Sequence, residues 1–240
     1  RLMKHHHDHD PTALPPSLRK RRYVFADVPY RIKRFDRIVS NPHDTIDFDA
    51  QRHRECEDRT AAIGADGKLL HRDGGRLYGS LMEKLLITAL TKLSNLVPGG
   101  GIWMNTQRPE WNDANNALVG WGMSMVTVAY LRQFLAFVES LLEVDTEGDS
   151  PVVVSSSIAT FFRRVTNALS TFDETSPETD ATARYAVVES LGRAGEMFRS
   201  DVYDGSFGAT DDTLSVDEIR SFLATALAAL DRSLRVSRRG

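Results

Sequence analysis

This sequence is short of cysteine: Cys56 is the only one. A lone thiol excludes an internal disulfide framework and a cysteine-based zinc site, and it fits a reducing compartment, so a cytoplasmic location is expected. Charge of one sign is missing too. Thirty Lys and Arg against 33 Asp and Glu leave a formal charge of -3, with no overall pull towards nucleic acid or acidic membranes. No uncharged apolar run reaches the roughly 18–20 residues of a membrane span, and no secretory signal is recognisable. A phosphate-cradling glycine loop, a GxSxG elbow and an HExxH pair are all absent, as is any internal repeat. What remains is an ordinary globular composition, 41% hydrophobic and 26% charged, in 240 residues. That length suits one large domain or two small ones. The odd polar tract that starts at Arg1 suggests a piece of a longer protein.

Residues 1–22, RLMKHHHDHDPTALPPSLRKRR, hold almost nothing that could build a core, and Pro15-Pro16 forbids a helix there. They are expected to form a flexible basic, His-rich arm. Residues 23–79 read as a loop-rich segment with short strands. YVFADV (23–28) is a candidate strand, and NPHDTIDFD (41–49) is a turn whose last aspartate suits the cap of a polar helix over 50–63. Gly64 stops that helix. KLLH-RDGG-RLYG then carries a hairpin around an Asp-Gly turn.

From residue 80 to 240 the pattern is helical. Ser80 with Glu83 makes a capping box, and Leu81, Met82, Leu85, Leu86, Ala89, Leu90, Leu93, Leu96 and Val97 follow at helical spacing until Pro98 and three glycines. A second helix is expected from about Asp113 to Glu143. Its first half shows almost no polar face, so it should be buried all round. Ser150-Pro151 opens a third helix to about Phe172, and Ser176-Pro177 a fourth to about Arg199. Ser215 with Glu218 caps a fifth, and an acidic loop, DVYDGSFGATDDT, lies before it. The fold class expected is mainly α, with long helices in an α/α toroid-like or bundle arrangement behind the loop-rich N-terminal section and its small β-hairpin.

The most chemically loaded stretch is RPEWNDANNALVGWG, residues 108–122. EWNDANN (110–116), entered from GGGIWMNTQ, resembles the DWNDGMN-type motif of cellobiose-phosphorylase-like enzymes. It is also similar to the tryptophan-x-aspartate-alanine motif of amylo-1,6-glucosidase domains. Both belong to the (α/α)6-barrel, six-hairpin glycosidase-like hydrolases and phosphorylases. The likeness spans about residues 77–143 and is close only at W-N-D; Glu110 replaces the motif's first Asp, and Ala114-Asn115 replaces Gly-Met. It implies a partial (α/α)6 barrel with Asp113 as the general acid that protonates the glycosidic oxygen. Trp111 and Asn112 would then shape the sugar subsite.

The residue chemistry leads the same way. A glycosidase needs one carboxylic acid held protonated and one carboxylate acting as base or nucleophile. Glu110 and Asp113 would be neighbours on a helical turn, about 5–6 Å apart at Cβ, and like charges that close rarely ionise together. Trp103, Trp111 and Trp121 offer flat faces for sugar rings. Gln107, Asn112, Asn115 and Asn116 offer donors and acceptors for hydroxyls, and Arg108 suits a carboxylate or a phosphate. The partners expected are therefore an oligosaccharide or glycoside, with phosphate in the phosphorolytic version, and neither nucleic acid, membrane, metal nor cofactor. The competing expectation is a non-catalytic helical scaffold, in which residues 102–124 only cap and orient a buried helix.

Three other clusters read more plainly as structure. His5-His6-His7-Asp8-His9-Asp10 would chelate a metal only unselectively. The block RKRRYVFADVPYRIKRF (19–35) interleaves cations with aromatics, as single-stranded nucleic acid would want, but an edge strand with solvated charges is preferred. His43, Asp44, Asp47 and Asp49 match no calcium-loop spacing.

Overall fold

The structure, a computed structural model, describes residues 2–105, 120–145, 147–175 and 181–237. These form eight α-helices: α1 (Leu2–His9), α2 (Phe35–Ser40), α3 (Ala50–Ile63), α4 (Leu81–Leu93), α5 (Met125–Glu143), α6 (Ser156–Thr175), α7 (Ala181–Tyr203) and α8 (Val216–Ser237). Short strands stitch them together. β1 (Tyr23–Val24) pairs with β6 (Tyr78–Gly79), and β2 (Tyr30–Ile32) with β3 (Ile46–Phe48). β4 (His71–Arg72) pairs with β5 (Gly75–Arg76), and β10 (Val152–Ser155) with β11 (Asp211–Leu214). β7 (Leu96–Val97), β8 (Gly101–Trp103) and β9 (Met123–Ser124) form one three-stranded sheet. The protein is thus mainly helical, with a few small sheets.

Local chemistry sets most boundaries. Ser80 Oγ accepts from the Glu83 N–H, and Glu83 Oε2 accepts from the Ser80 N–H at 2.7 Å, the capping box that opens α4. The Ser215–Glu218 box does the same for α8. Asp49 caps α3 through the Arg52 N–H, and Gly64, at φ +75°, ends it. Asp73 and Gly74, both at positive φ, make the β4–β5 turn.

The long helices pack in a closed circuit: α4 against α5, α5 against α8, α8 against α6, α6 against α7, and α7 back against α4. α4 and α6 also touch across it, so side chains fill the middle. Leu86, Leu90 and Leu93 of α4, Leu135 and Leu141 of α5, Phe161 of α6 and Phe222 of α8 are all essentially inaccessible there. The buried Glu83 carboxylate ties this core to the strands, because its Oε1 accepts from the Ser155 N–H at 2.9 Å.

Several elements depart from expectation. Residues 2–9 of the supposed loose arm form α1, and Pro15–Ser17 forms a 3-10 turn, where a missing N–H costs little. Leu18 is fully buried, Arg19 pairs with Asp145, and His7 packs edge-on against Phe137. The few apolar side chains in this polar tract suffice because the rest of the molecule supplies the surface they cover. α4 stops at Leu93, not Val97, because Leu96 and Val97 pair with β8. The helix that ends at Glu143 begins at Met125, since Met123 and Ser124 form β9 and Ser124 caps it; Asp113, where its start was expected, lies outside the described residues. Nor is this helix buried all round: Val126 is 67% exposed and Tyr130 51%. The third helix begins at Ser156, because the β-branched run Val152–Val154 enters a ladder with β11 instead. That same ladder takes residues 211–213 out of the expected loop. The fourth helix is described from Ala181 and runs on to Tyr203.

α5 is the one helix among the described residues that is long and apolar enough to cross a membrane by length and composition. Its inner face lies against α4 and α8.

Candidate functional site

The three-stranded sheet controls where the polar segment is rooted. β7 turns into β8 through Pro98, Gly99 and Gly100, with the Gly100 N–H donating to Val97 O at 2.9 Å. Gly99 takes φ +70°, and at Gly100 a Cβ would stand 2.7 Å from Met123 Sδ, so that side chain would have to shift. β8 then pairs with β9, placing Trp103 opposite Met123. Beyond the ladder the two strands stay together, since the Met104 N–H donates to Gly122 O at 3.0 Å and the Gly120 N–H to Met104 O at 2.7 Å. The chain therefore leaves this point at Asn105 and rejoins it at Gly120.

Both ends are anchored by side chains. Trp103, half-buried, donates its indole N–H to Gly120 O at 3.1 Å. Asn105, 8% exposed, donates through Nδ2 to Asn95 Oδ1 at 2.7 Å. Asn95 in turn holds Thr91 O at the end of α4 and accepts from the Trp103 N–H at 2.8 Å. On the other side, Gly120 sits at φ +83° with its Cα against the turn after α2; a Cβ there would stand 2.6 Å from Pro42 O. This contact brings His43 to Trp121. The indole N–H of Trp121 donates to His43 Nε2, and the two rings lie 5.3 Å apart. Trp121 is nevertheless 73% exposed, its N–H tethered and its ring in solvent.

Of the candidate site residues, the structure thus brings Trp103 and Trp121 to one hairpin root. Gln107, Arg108, Glu110, Trp111, Asn112, Asp113, Asn115 and Asn116 lie outside the described residues. Sequence reasoning missed Asn95 and Asn105, whose pairing spans two elements. It had read His43 only as part of an acidic turn. The signal for Asn105 was its place directly after GGGIWM, where the chain enters the polar segment.

The other clusters are structural. Lys33 pairs with Asp44 and Asp47, and these contacts, Asp44 first, raise its pKa. Asp49 pairs with Arg31. Together with the Arg19–Asp145 and Arg21–Asp211 pairs, these contacts engage Arg19, Arg21, Arg31 and Lys33 of the basic block intramolecularly. Cys56 is buried, and desolvation pushes its thiol pKa up, the wrong direction for a nucleophile. Among the described residues no group of three or more His, Cys, Asp or Glu is placed to hold a metal ion. A cavity of about 630 Å³ between α1, α4 and α5 is walled mainly by Leu2, Met3, Tyr130, Leu131, Phe134 and Phe137. Lys4, Thr88, Lys92, Thr127 and Gln133 complete its wall, with no carboxylate, histidine or cysteine among them.

No protein-family model matches this chain, and no curated protein matches it. The likeness of residues 110–116 to glycosidase motifs rests on those residues alone.

Proposed function

We propose that this chain is a carbohydrate-active enzyme, or part of one, that cleaves a glycosidic bond by general acid catalysis in hydrolysis or phosphorolysis. Asp113 is the acid and Glu110 the second carboxylate. Trp111, Trp103 and Trp121 provide sugar-facing surfaces, and Gln107, Asn112, Asn115 and Asn116 meet hydroxyls. Arg108 binds a carboxylate or the attacking phosphate. The helices belong, on this reading, to an α/α toroid, and the enzyme works in the cytoplasm on an oligosaccharide or glycoside. It needs no metal, cofactor, nucleic acid or membrane.

The observation that carries the proposal is the state of Trp121. An indole that only filled a core would be covered. This one is tethered through its N–H to His43 with most of its ring in solvent, five residues after the last polar candidate, Asn116. A fixed, exposed aromatic plane is what a sugar ring stacks on. Replacing Trp121 by alanine is expected to weaken oligosaccharide binding roughly tenfold while changing stability by less than about 0.5 kcal/mol, since the ring buries little. Calorimetric titration with gluco-oligosaccharides, beside a thermal melt, measures both.

A second reading, a helical scaffold whose hairpin only positions α5, is favoured by Trp103, whose N–H satisfies Gly120 O within the hairpin. It predicts no sugar binding by the folded protein.

A further inference from the structure

One guanidinium near the hairpin root makes no hydrogen bond or ion pair among the described residues. Arg199 lies near the end of α7, and its side chain runs back over Gly195 towards the N-terminus of the helix. Its Nη1 is 3.1 Å from where a Cβ on Gly195 would stand, and Ser94 Oγ is 2.8 Å from the same point. The missing side chain of Gly195 therefore opens a slot between α7 and the end of α4, and Arg199 fills part of it. Ser94 precedes Asn95, the residue that holds Asn105 at the foot of the polar segment.

Among the described residues this cation makes no hydrogen bond or ion pair, and Tyr203 and Glu196 favour its charge only without such contact. Its Nε is buried without a hydrogen-bond partner, and burial pushes its pKa down. The carboxylate nearest in sequence, Glu196, is already engaged by the Phe35 N–H at 3.1 Å and by Arg34 at 3.3 Å. Tyr203 OH accepts from the Ile32 N–H at 2.9 Å. The last carbonyls of α4 would suit a cation, but Leu90 O, Thr91 O and Lys92 O already accept from Ser94 or Asn95. Arg52 and Arg59, comparably covered, both converge on the Asp27 carboxylate. Arg199 is the exception to that pattern. A half-covered, unpaired guanidinium is costly to hold and well shaped to take two oxygens of one anion.

We infer that Arg199 is an anion receptor that holds a phosphate or carboxylate group of a ligand bound beside the hairpin root. The inference rests on the proposed function only for the ligand being a sugar; the anion site itself is independent of it.

The test is calorimetric titration of wild type, Arg199→Met and Arg199→Lys with inorganic phosphate and, separately, with glucuronate. Circular dichroism and thermal melts accompany each protein. At least one anion should bind wild type, with roughly tenfold or greater weakening in Arg199→Met and an intermediate loss in Arg199→Lys. Arg199→Met should melt at or above the wild-type temperature, because it removes an unpaired charge. Phosphate binding alone assigns a free or esterified phosphate, and glucuronate binding alone an acidic sugar. The inference is overturned if neither anion binds wild type, or if Arg199→Met binds as tightly. It is equally overturned if Arg199→Met melts well below wild type and Arg199→Lys restores the loss. Arg199-dependent anion binding without oligosaccharide turnover keeps this site and removes the glycosidase reading. Turnover with anion affinity indifferent to Arg199 does the reverse.

Discussion

Changing Glu83 to glutamine probes how the helical core is fastened to its strands. Glu83 is 2% exposed, and each carboxylate oxygen accepts from a different backbone N–H: Ser80 at 2.7 Å, closing the capping box of α4, and Ser155 at 2.9 Å, at the end of β10. Glutamine keeps the shape but offers one acceptor and one donor. One buried N–H must then face an NH2 group and go unsatisfied, at about 1–3 kcal/mol, and the other bond loses its charge assistance. The sum is about 2–3 kcal/mol. At roughly 2–4 °C per kcal/mol for a chain of this size, the melting temperature should fall about 4–12 °C. Glu83→Ala, which orphans both N–H groups, should cost more. Differential scanning calorimetry with urea titration measures the series. A Glu83→Gln change below about 0.5 kcal/mol would refute the claim that this carboxylate joins α4 to β10.

Two further predictions follow from the geometry. Gly120→Ala forces an L-residue to φ +83° and drives a Cβ into Pro42 O, so about 1–3 kcal/mol should be lost. The Trp121–His43 contact should loosen with it, read as a shift in tryptophan fluorescence. Acid should destabilise the protein partly through Asp49, held below its usual value of 3.8 by the Arg52 N–H and then by Arg31. A carboxylate with a depressed folded pKa contributes stability above its unfolded value that is lost as pH falls through the folded one. Asp49→Asn keeps the cap without the titration, so its melting temperature should fall less than wild type between pH 4 and pH 2.

What could be read from the sequence was what depends on near neighbours. Both capping boxes, the Asp49 cap, the Gly64 stop and the Asp73-Gly74 turn stand as expected, because each needs only residues within a few positions. The errors share a cause. Val152–Ser155 becomes a strand only because Asp211–Leu214 lies beside it, and Met123–Ser124 only because β8 does. α1 packs through His7 against Phe137, far along the chain. At the candidate site the tryptophans were visible as residues, but their tethers were not. Trp121 meets His43 and Asn105 meets Asn95 through folding, and neither pairing leaves a local trace. Arg199 was invisible for the same reason, since having no hydrogen bond or ion pair among the described residues is a property of packing.

The central claim is that Asp113 protonates a glycosidic oxygen. Sugar release from a panel of α- and β-linked disaccharides and oligosaccharides, with and without phosphate, tests it most directly when wild type is run beside Asp113→Asn. The account predicts turnover by wild type and its loss in the variant at unchanged helicity, with phosphate dependence separating phosphorolysis from hydrolysis. Two inert folded proteins, or a variant that turns over as fast as wild type, would contradict it. So would an Asp113→Asn protein whose only defect is a melt about 1 kcal/mol easier.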